Sequence, residues 1–123
     1  RREVQILHVD CGPVGLWGRP KSYAKFRNFS QYISRPTEVM PDADLVLVDG
    51  RWRVACFLQV MMTLRPGTII LFDDYFSRGN YKVVEDVVSP RAQCGNQAVF
   101  ERPKSLNTAL ANSMLKHFCF VFD

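Results

Sequence analysis

Asp44-Leu45-Val46-Leu47-Val48-Asp49-Gly50 and, a helix length later, Leu64-Arg65-Pro66-Gly67-Thr68-Ile69-Ile70-Leu71-Phe72-Asp73-Asp74-Tyr75 are the two stretches that decide the fold. The first is a continuous apolar run between acidic residues, the pattern of a parallel strand buried on both faces. Val54, Phe57, Leu58, Met61 and Leu64 then recur at helical spacing, and Arg65-Pro66-Gly67 stops that helix before the second run. Strand, helix, strand in this order define an α/β unit with parallel strands.

Working outward, Gln5 to Asp10 is short, carries the β-branched Ile6 and Val9 and is closed by Cys11-Gly12-Pro13, so it predicts a further strand feeding a loop. Ser22 to Ser34 carries Tyr23, Phe26, Phe29, Tyr32 and Ile33 on one helical face and predicts a helix ended by Pro36, with a linker to Asp42. Downstream, Ser77 to Asn80 reads as a loop and Tyr81 to Val88 as a short helix stopped by Ser89-Pro90. Gln97 to Phe100 reads as a strand, Thr108 to Lys116 as a helix and Phe118 to Phe122 as a last strand.

The chain has 123 residues, the size of one domain, with 47% hydrophobic and 23% charged residues, which excludes collagen-like and broadly disordered classes. No apolar run approaches the roughly 18 residues that would span a bilayer, and the start has no signal peptide's apolar stretch. A cytoplasmic protein with no membrane partner is expected. The net charge of +4 is mild and forms no single Lys/Arg cluster, so nucleic acid is not the expected partner. Cys11, Cys56, Cys94 and Cys119 lie far apart without a C-x-x-C pair, which points to free thiols and no structural zinc. Gly12, Gly15 and Gly18 follow a G-x-x-G-x-x-G spacing that differs from the dinucleotide fingerprint and assigns no cofactor.

In open α/β sheets ligands bind beyond the carboxyl ends of the strands. Asp10, Asp49 and the pair Asp73-Asp74 end the first three predicted strands and should converge on one rim, a repulsive row unless a cation, a basic ligand or capping hydrogen bonds offset it. Arg51-Trp52-Arg53 precedes the middle helix, where the helix dipole disfavours positive charge. Either the nearby aspartates compensate those arginines, or the guanidiniums hold an anionic substrate while Trp52 offers a stacking face.

The stretch from Asp44 to Tyr75, with its L-R-P-G-x-hydrophobic turn at Leu64 to Ile69, resembles the second half of a class I S-adenosylmethionine-dependent methyltransferase. The resemblance covers residues 4 to 101 and is most specific between 44 and 88. It implies a Rossmann-like three-layer α/β/α fold with a mostly parallel sheet and S-adenosylmethionine as the methyl donor. It also implies a small-molecule or sugar-like hydroxyl or amine as acceptor. Asp49 and Asp73 become the expected catalytic residues: either would take up the nucleophile's proton, or both would bind Mg²⁺. Asp74, Tyr75, Arg51, Trp52 and Arg53 would orient the substrate, and Asp10 would touch the adenine.

The family's glycine-rich first strand and its ribose-binding acid are absent from these 123 residues. The sheet is therefore expected to be incomplete, the chain to be a C-terminal fragment, and the Leu45 to Val48 strand to have an open edge that favours self-association. The competing reading is a non-catalytic α/β module that binds an anionic partner such as nucleic acid.

Overall fold

The computed structural model describes residues 3 to 122. Four strands form one sheet: β1 (Leu45–Val48), β2 (Ile69–Phe72), β3 (Ala92–Cys94) and β4 (Gln97–Glu101), in the spatial order β1-β2-β4-β3. Three α-helices accompany them: α1 (Phe29–Val39), α2 (Arg53–Thr63) and α3 (Thr108–Phe118). Both decisive stretches form strands as read, and β1 and β2 pair in parallel with Leu45 opposite Ile69 and Val48 opposite Phe72, but β1 is not buried on both faces as expected: Leu45 and Leu47 are exposed.

Gly67, at φ +91°, provides the left-handed turn that ends the α2–β2 connection, and Thr68 buries its hydroxyl against the Arg65 carbonyl at 2.8 Å. At the other end of α2, the helix starts from Trp52 in a left-handed conformation (φ 53°, ψ 43°), so the chain reverses sharply out of β1.

The sheet is mixed rather than mostly parallel. β4 runs antiparallel to β2, and β3 antiparallel to β4, because Gly95, at φ +60°, closes a tight β3–β4 hairpin in place of a crossover. The predicted last strand is not formed: α3 continues to Phe118, and Phe122 instead enters a cluster with Cys11, Phe29, Ile33, Trp52 and Ala55. The aromatic segment before the linker forms a short 3₁₀ turn at Phe26–Asn28 and then α1, which runs through Pro36 rather than stopping there. The short helix expected over Tyr81 to Val88 is a 3₁₀ helix at Gly79–Asp86, starting within the expected loop.

Gln5 to Asp10 forms no regular element and joins no sheet. Gln5, Leu7 and Val9 line, together with Leu45 to Val48 of β1, a cavity of about 710 Å³. The strand pattern of this segment is present in the sequence. Its hydrogen-bonding partner is missing from the described residues.

One face of the sheet carries the core. Ile70, Phe72, Ala98 and Phe100 are fully buried there, and Phe57 of α2 packs its ring 4.6 Å from Phe100 and 5.7 Å from Phe72. Such aromatic pairs add about 0.5–1.5 kcal/mol beyond their area burial. The opposite face is uncovered: Leu45 and Leu47 are 60% and 57% exposed, beside partly exposed Ile69, Leu71 and Val99. The expected three layers are therefore two among the described residues. No helix of these residues is long and apolar enough to cross a membrane.

Candidate active site

The parallel strands β1 and β2 end side by side, held there by a hydrogen bond from the Asp73 backbone N–H to the Val48 carbonyl (3.0 Å). This brings the Asp49, Asp73 and Asp74 carboxylates together, with one oxygen of each within 4.8 Å of the others. Asp74 adopts φ +56°, which with Trp52 makes two left-handed non-glycine residues in the turns following these two strands. Conformations of this kind persist where surrounding contacts over-determine them, and they cluster at functional sites.

Arg53 is the centre of the arrangement. Its side chain is only 4% exposed. Nε donates to the Gly50 carbonyl (2.9 Å), and Nη1 donates to the Asp73 carbonyl (2.9 Å) and to Asp74 Oδ2 (3.2 Å). Nη2 lies 3.6 Å from Asp49 Oδ1, and the guanidinium sits over the Tyr81 ring at 5.7 Å. A cation at the first position of α2 opposes the helix dipole, and these carboxylates and carbonyls offset that cost. Arg78 adds a second positive charge 3.5 Å from Asp74 Oδ2. The arginine's donors are thus turned inward, onto the acids, rather than outward to an anion.

The two leading aspartates are shifted in opposite directions. Asp49 is pushed up by partial desolvation, by the hydrogen bond it shares with Asp73, and by the charges of Asp73 and Asp74, with Arg53 only partly opposing. In Asp73 desolvation acts in the same upward direction. Hydrogen bonds from Asp49, from Gln97 and from the Asp74 backbone, together with the Arg53 charge, outweigh it and hold the carboxyl below its usual range. Asp73 therefore holds its charge more firmly than a free carboxylate, and Asp49 less firmly.

Gln97 is a participant that sequence reading missed. Its Nε2 donates to Asp73 Oδ1 at 3.2 Å from the start of the antiparallel strand β4. Only the register, with Ala98 opposite Phe72, reveals that the two side chains meet.

Asp10 does not join the acidic group. It caps its own turn, accepting from the Gly12 N–H (3.0 Å), and pairs with Lys25 at 3.7 Å. With His8, Gly50, Arg51 and Trp52 it lines a second cavity of about 340 Å³ beside the rim. Arg51 borders both cavities, and its Nε is buried without a hydrogen-bond partner.

Trp52 and Tyr75 lie beneath the rim surface rather than on it. Trp52 is 1% exposed, with Phe29 and Tyr32 packed on it at 4.7 and 4.8 Å, and its indole N–H also lacks an acceptor. Its left-handed backbone turns the ring into the apolar cluster, so no face is free for stacking. Tyr75 is buried against Phe72 and Phe100, and its hydroxyl donates to Glu85 at 2.6 Å. Burial and the Glu85 charge raise its pKa.

Neither a family model nor a curated protein matches the chain. A crystal structure of a methyltransferase-like protein from Silicibacter pomeroyi DSS-3 does, at 33% sequence identity and a TM-score of 0.80 over 97% of this chain. The fold is therefore methyltransferase-like. The match spans 62% of that protein's length.

Proposed function

We propose that this chain forms the acceptor side of an S-adenosylmethionine-dependent methyltransferase acting on a small-molecule or sugar-like hydroxyl or amine. The observation that carries the reading is the juxtaposition of the Asp49 and Asp73 carboxylates at the adjoining ends of two parallel strands, in a fold similar to a methyltransferase-like protein. S-adenosylmethionine, when bound, supplies an electrophilic methyl group. Asp10 as acceptor and the Arg51 side chain, both at the second cavity, are the groups of this chain that would hold part of it.

Asp49 takes the proton that the acceptor's O–H or N–H loses as it attacks. Asp73 stays ionised and accepts a hydrogen bond from the protonated Asp49, which lowers the cost of that transfer. Gln97 and Arg53 fix the orientation of Asp73, and Arg53 keeps the three carboxylates from repelling one another apart. The same carboxylates are close enough to share a hard cation such as Mg²⁺, which would add Lewis acidity at the acceptor oxygen. Arg53 already supplies part of the positive charge such a cation would bring, and proton uptake by Asp49 needs none.

The remainder of the donor site belongs, in this reading, to a segment outside these residues. It would add strands at the open edge of β1 and cover the exposed Leu45/Leu47 face. The cavity of about 710 Å³ bordered by β1 and the uncovered apolar face support this.

The test is a calorimetric titration of S-adenosylmethionine together with a labelled methyl-transfer assay, on the 123-residue chain and on the whole protein that carries it. Weak binding by the chain, with tight binding and methyl transfer by the whole protein, is expected. A whole protein that neither binds the donor nor transfers a methyl group overturns the proposal.

A further inference from the structure

The loop that follows Asp10 has features the rim chemistry does not use. Between Asp10 and Glu38 the chain contains Arg19, Lys21, Lys25, Arg27 and Arg35 and no acidic residue, which exceeds the net charge of the whole sequence. Arg19, Lys21, Lys25 and Arg27 are exposed. The same loop exposes its largest apolar side chains. Leu16 is 80% and Trp17 82% exposed at its tip, Val14 is 53% exposed beside them, and Tyr23 and Phe26 are also exposed, with Phe120 packed near Phe26 at 6.4 Å.

The tip is stiff. Val14 and Pro20 form an antiparallel bridge, the Gly15 N–H donates to the Arg19 carbonyl at 2.7 Å, and the Lys21 N–H donates to the Pro13 carbonyl at 2.9 Å. Trp17 sits at φ +58° in a 3₁₀ turn, a conformation that tryptophan rarely adopts. The fold therefore holds an indole and a leucine out in solvent on a fixed scaffold, among cations.

We propose that the loop from Pro13 to Arg27 docks the protein on an anionic lipid bilayer, with Leu16 and Trp17 entering the interface and Arg19, Lys21, Lys25 and Arg27 gathering headgroups. An anionic bilayer offers both complements at once, a polyanionic surface and an apolar layer within reach of a side chain beneath it. Tryptophan is the residue best suited to that boundary. A second copy of the chain would bring two basic segments against each other, and a nucleic acid would leave Val14 and Leu16 without a complement. Because Val14, Trp17 and Gly18 also line the cavity beside the rim, docking would set that cavity at the membrane surface, a peripheral contact that needs no spanning helix.

The experiment is co-sedimentation of the whole protein with vesicles of equimolar phosphatidylserine and phosphatidylcholine, and with phosphatidylcholine alone. Binding to the mixed vesicles, weakened at high salt and about tenfold or more weaker on the neutral ones, is expected. Leu16→Ser/Trp17→Asn removes the apolar tip but keeps the loop shape, since asparagine accepts the left-handed conformation. It should lower affinity about tenfold or more while leaving the melting temperature unchanged. Arg19→Gln/Lys21→Gln should lower it by a similar factor and flatten the salt dependence. A protein that stays in the supernatant overturns the proposal. So does vesicle binding that survives Leu16→Ser/Trp17→Asn unchanged, and in that case displacement by single-stranded RNA would assign the cations to nucleic acid instead.

Discussion

The two edges of β1 lead opposite lives. On the β2 side the acids and Arg53 at the strand end are paired: Asp73 is bonded to Val48 and Gln97, Asp74 to Arg53 and Arg78, and Arg53 to two carbonyls besides. On the other side an open edge faces a cavity of about 710 Å³, and Leu45 and Leu47 stand in solvent. Charges are concentrated where the structure is self-sufficient, and apolar surface is left bare where it is not. The rim can thus keep its geometry without help, whereas the edge and the bare face need a covering to be stable.

The strongest way to break this contrast is Arg53→Met. It leaves three neighbouring carboxylates without their shared cation and two carbonyls without donors. Loss of about 3 kcal/mol in a urea melt is expected, at the low end for removing one partner of a buried ion pair because the carboxylates keep partial access to water. A loss below about 0.5 kcal/mol, the scale of a neutral surface change, would mean that the rim does not depend on its arginine.

A smaller effect is expected at Gly50. A Cβ there would lie 2.5 Å from the Tyr32 hydroxyl, which accepts from the Arg51 N–H, so Gly50→Ala should cost about 1–2 kcal/mol through overpacking. Adding Tyr32→Phe removes the obstructing oxygen and should restore most of it. Strict additivity of the two changes would contradict this account of the turn.

Leu47→Ser sharpens the comparison from the bare side. In the 123-residue chain its side chain has little burial to lose, so the change should stay within about 0.5 kcal/mol. In the whole protein the same substitution should cost about 1.5–3 kcal/mol, the value of a buried leucine, if a further segment covers this face. Equal and small effects in both would show the face to be free.

The least effect is on acid stability. Asp73, with its lowered pKa, contributes stability that is present above its unfolded value near 3.8 and is lost as pH falls through the folded value. Asp49, raised, contributes in the opposite sense: its share is present below that unfolded value and is lost as pH rises through the folded one. The two contributions fall on opposite sides of about pH 3.8. Asp49→Asn removes the upper one, so the stability the parent loses as pH rises from about 4 should no longer be lost there, while the acid limb set by Asp73 remains. An unchanged profile would show that the two carboxyls do not titrate as a pair.

Much of this was legible in the sequence because the β1–α2–β2 unit is local. Continuous apolar runs, a helical stripe and the Arg65-Pro66-Gly67 stop each act over a few residues, and Asp49 and Asp73 follow from where the strands end. What escaped depends on distant partners. Gln5 to Asp10 has a strand's β-branched residues and no strand to pair with. Gln97 reaches Asp73 only through the antiparallel register of β4, and Phe122 is drawn from its expected strand by the Trp52 and Phe29 rings. Arg53, two residues from Arg51, was indistinguishable from it in sequence. Burial divides them, one spent on the acids and the other left with an unpartnered Nε.

The account rests on the Asp49–Asp73 pair acting on a proton, and paired activity and thermal melts of Asp49→Asn and Asp73→Asn in the whole protein, with and without a chelator, test it most directly. Asparagine keeps an oxygen at each turn but cannot take up the proton. Methyl transfer should fall about 10²-fold or more in each variant, with melting temperature nearly unchanged and no response to the chelator. Full activity in both variants would contradict it.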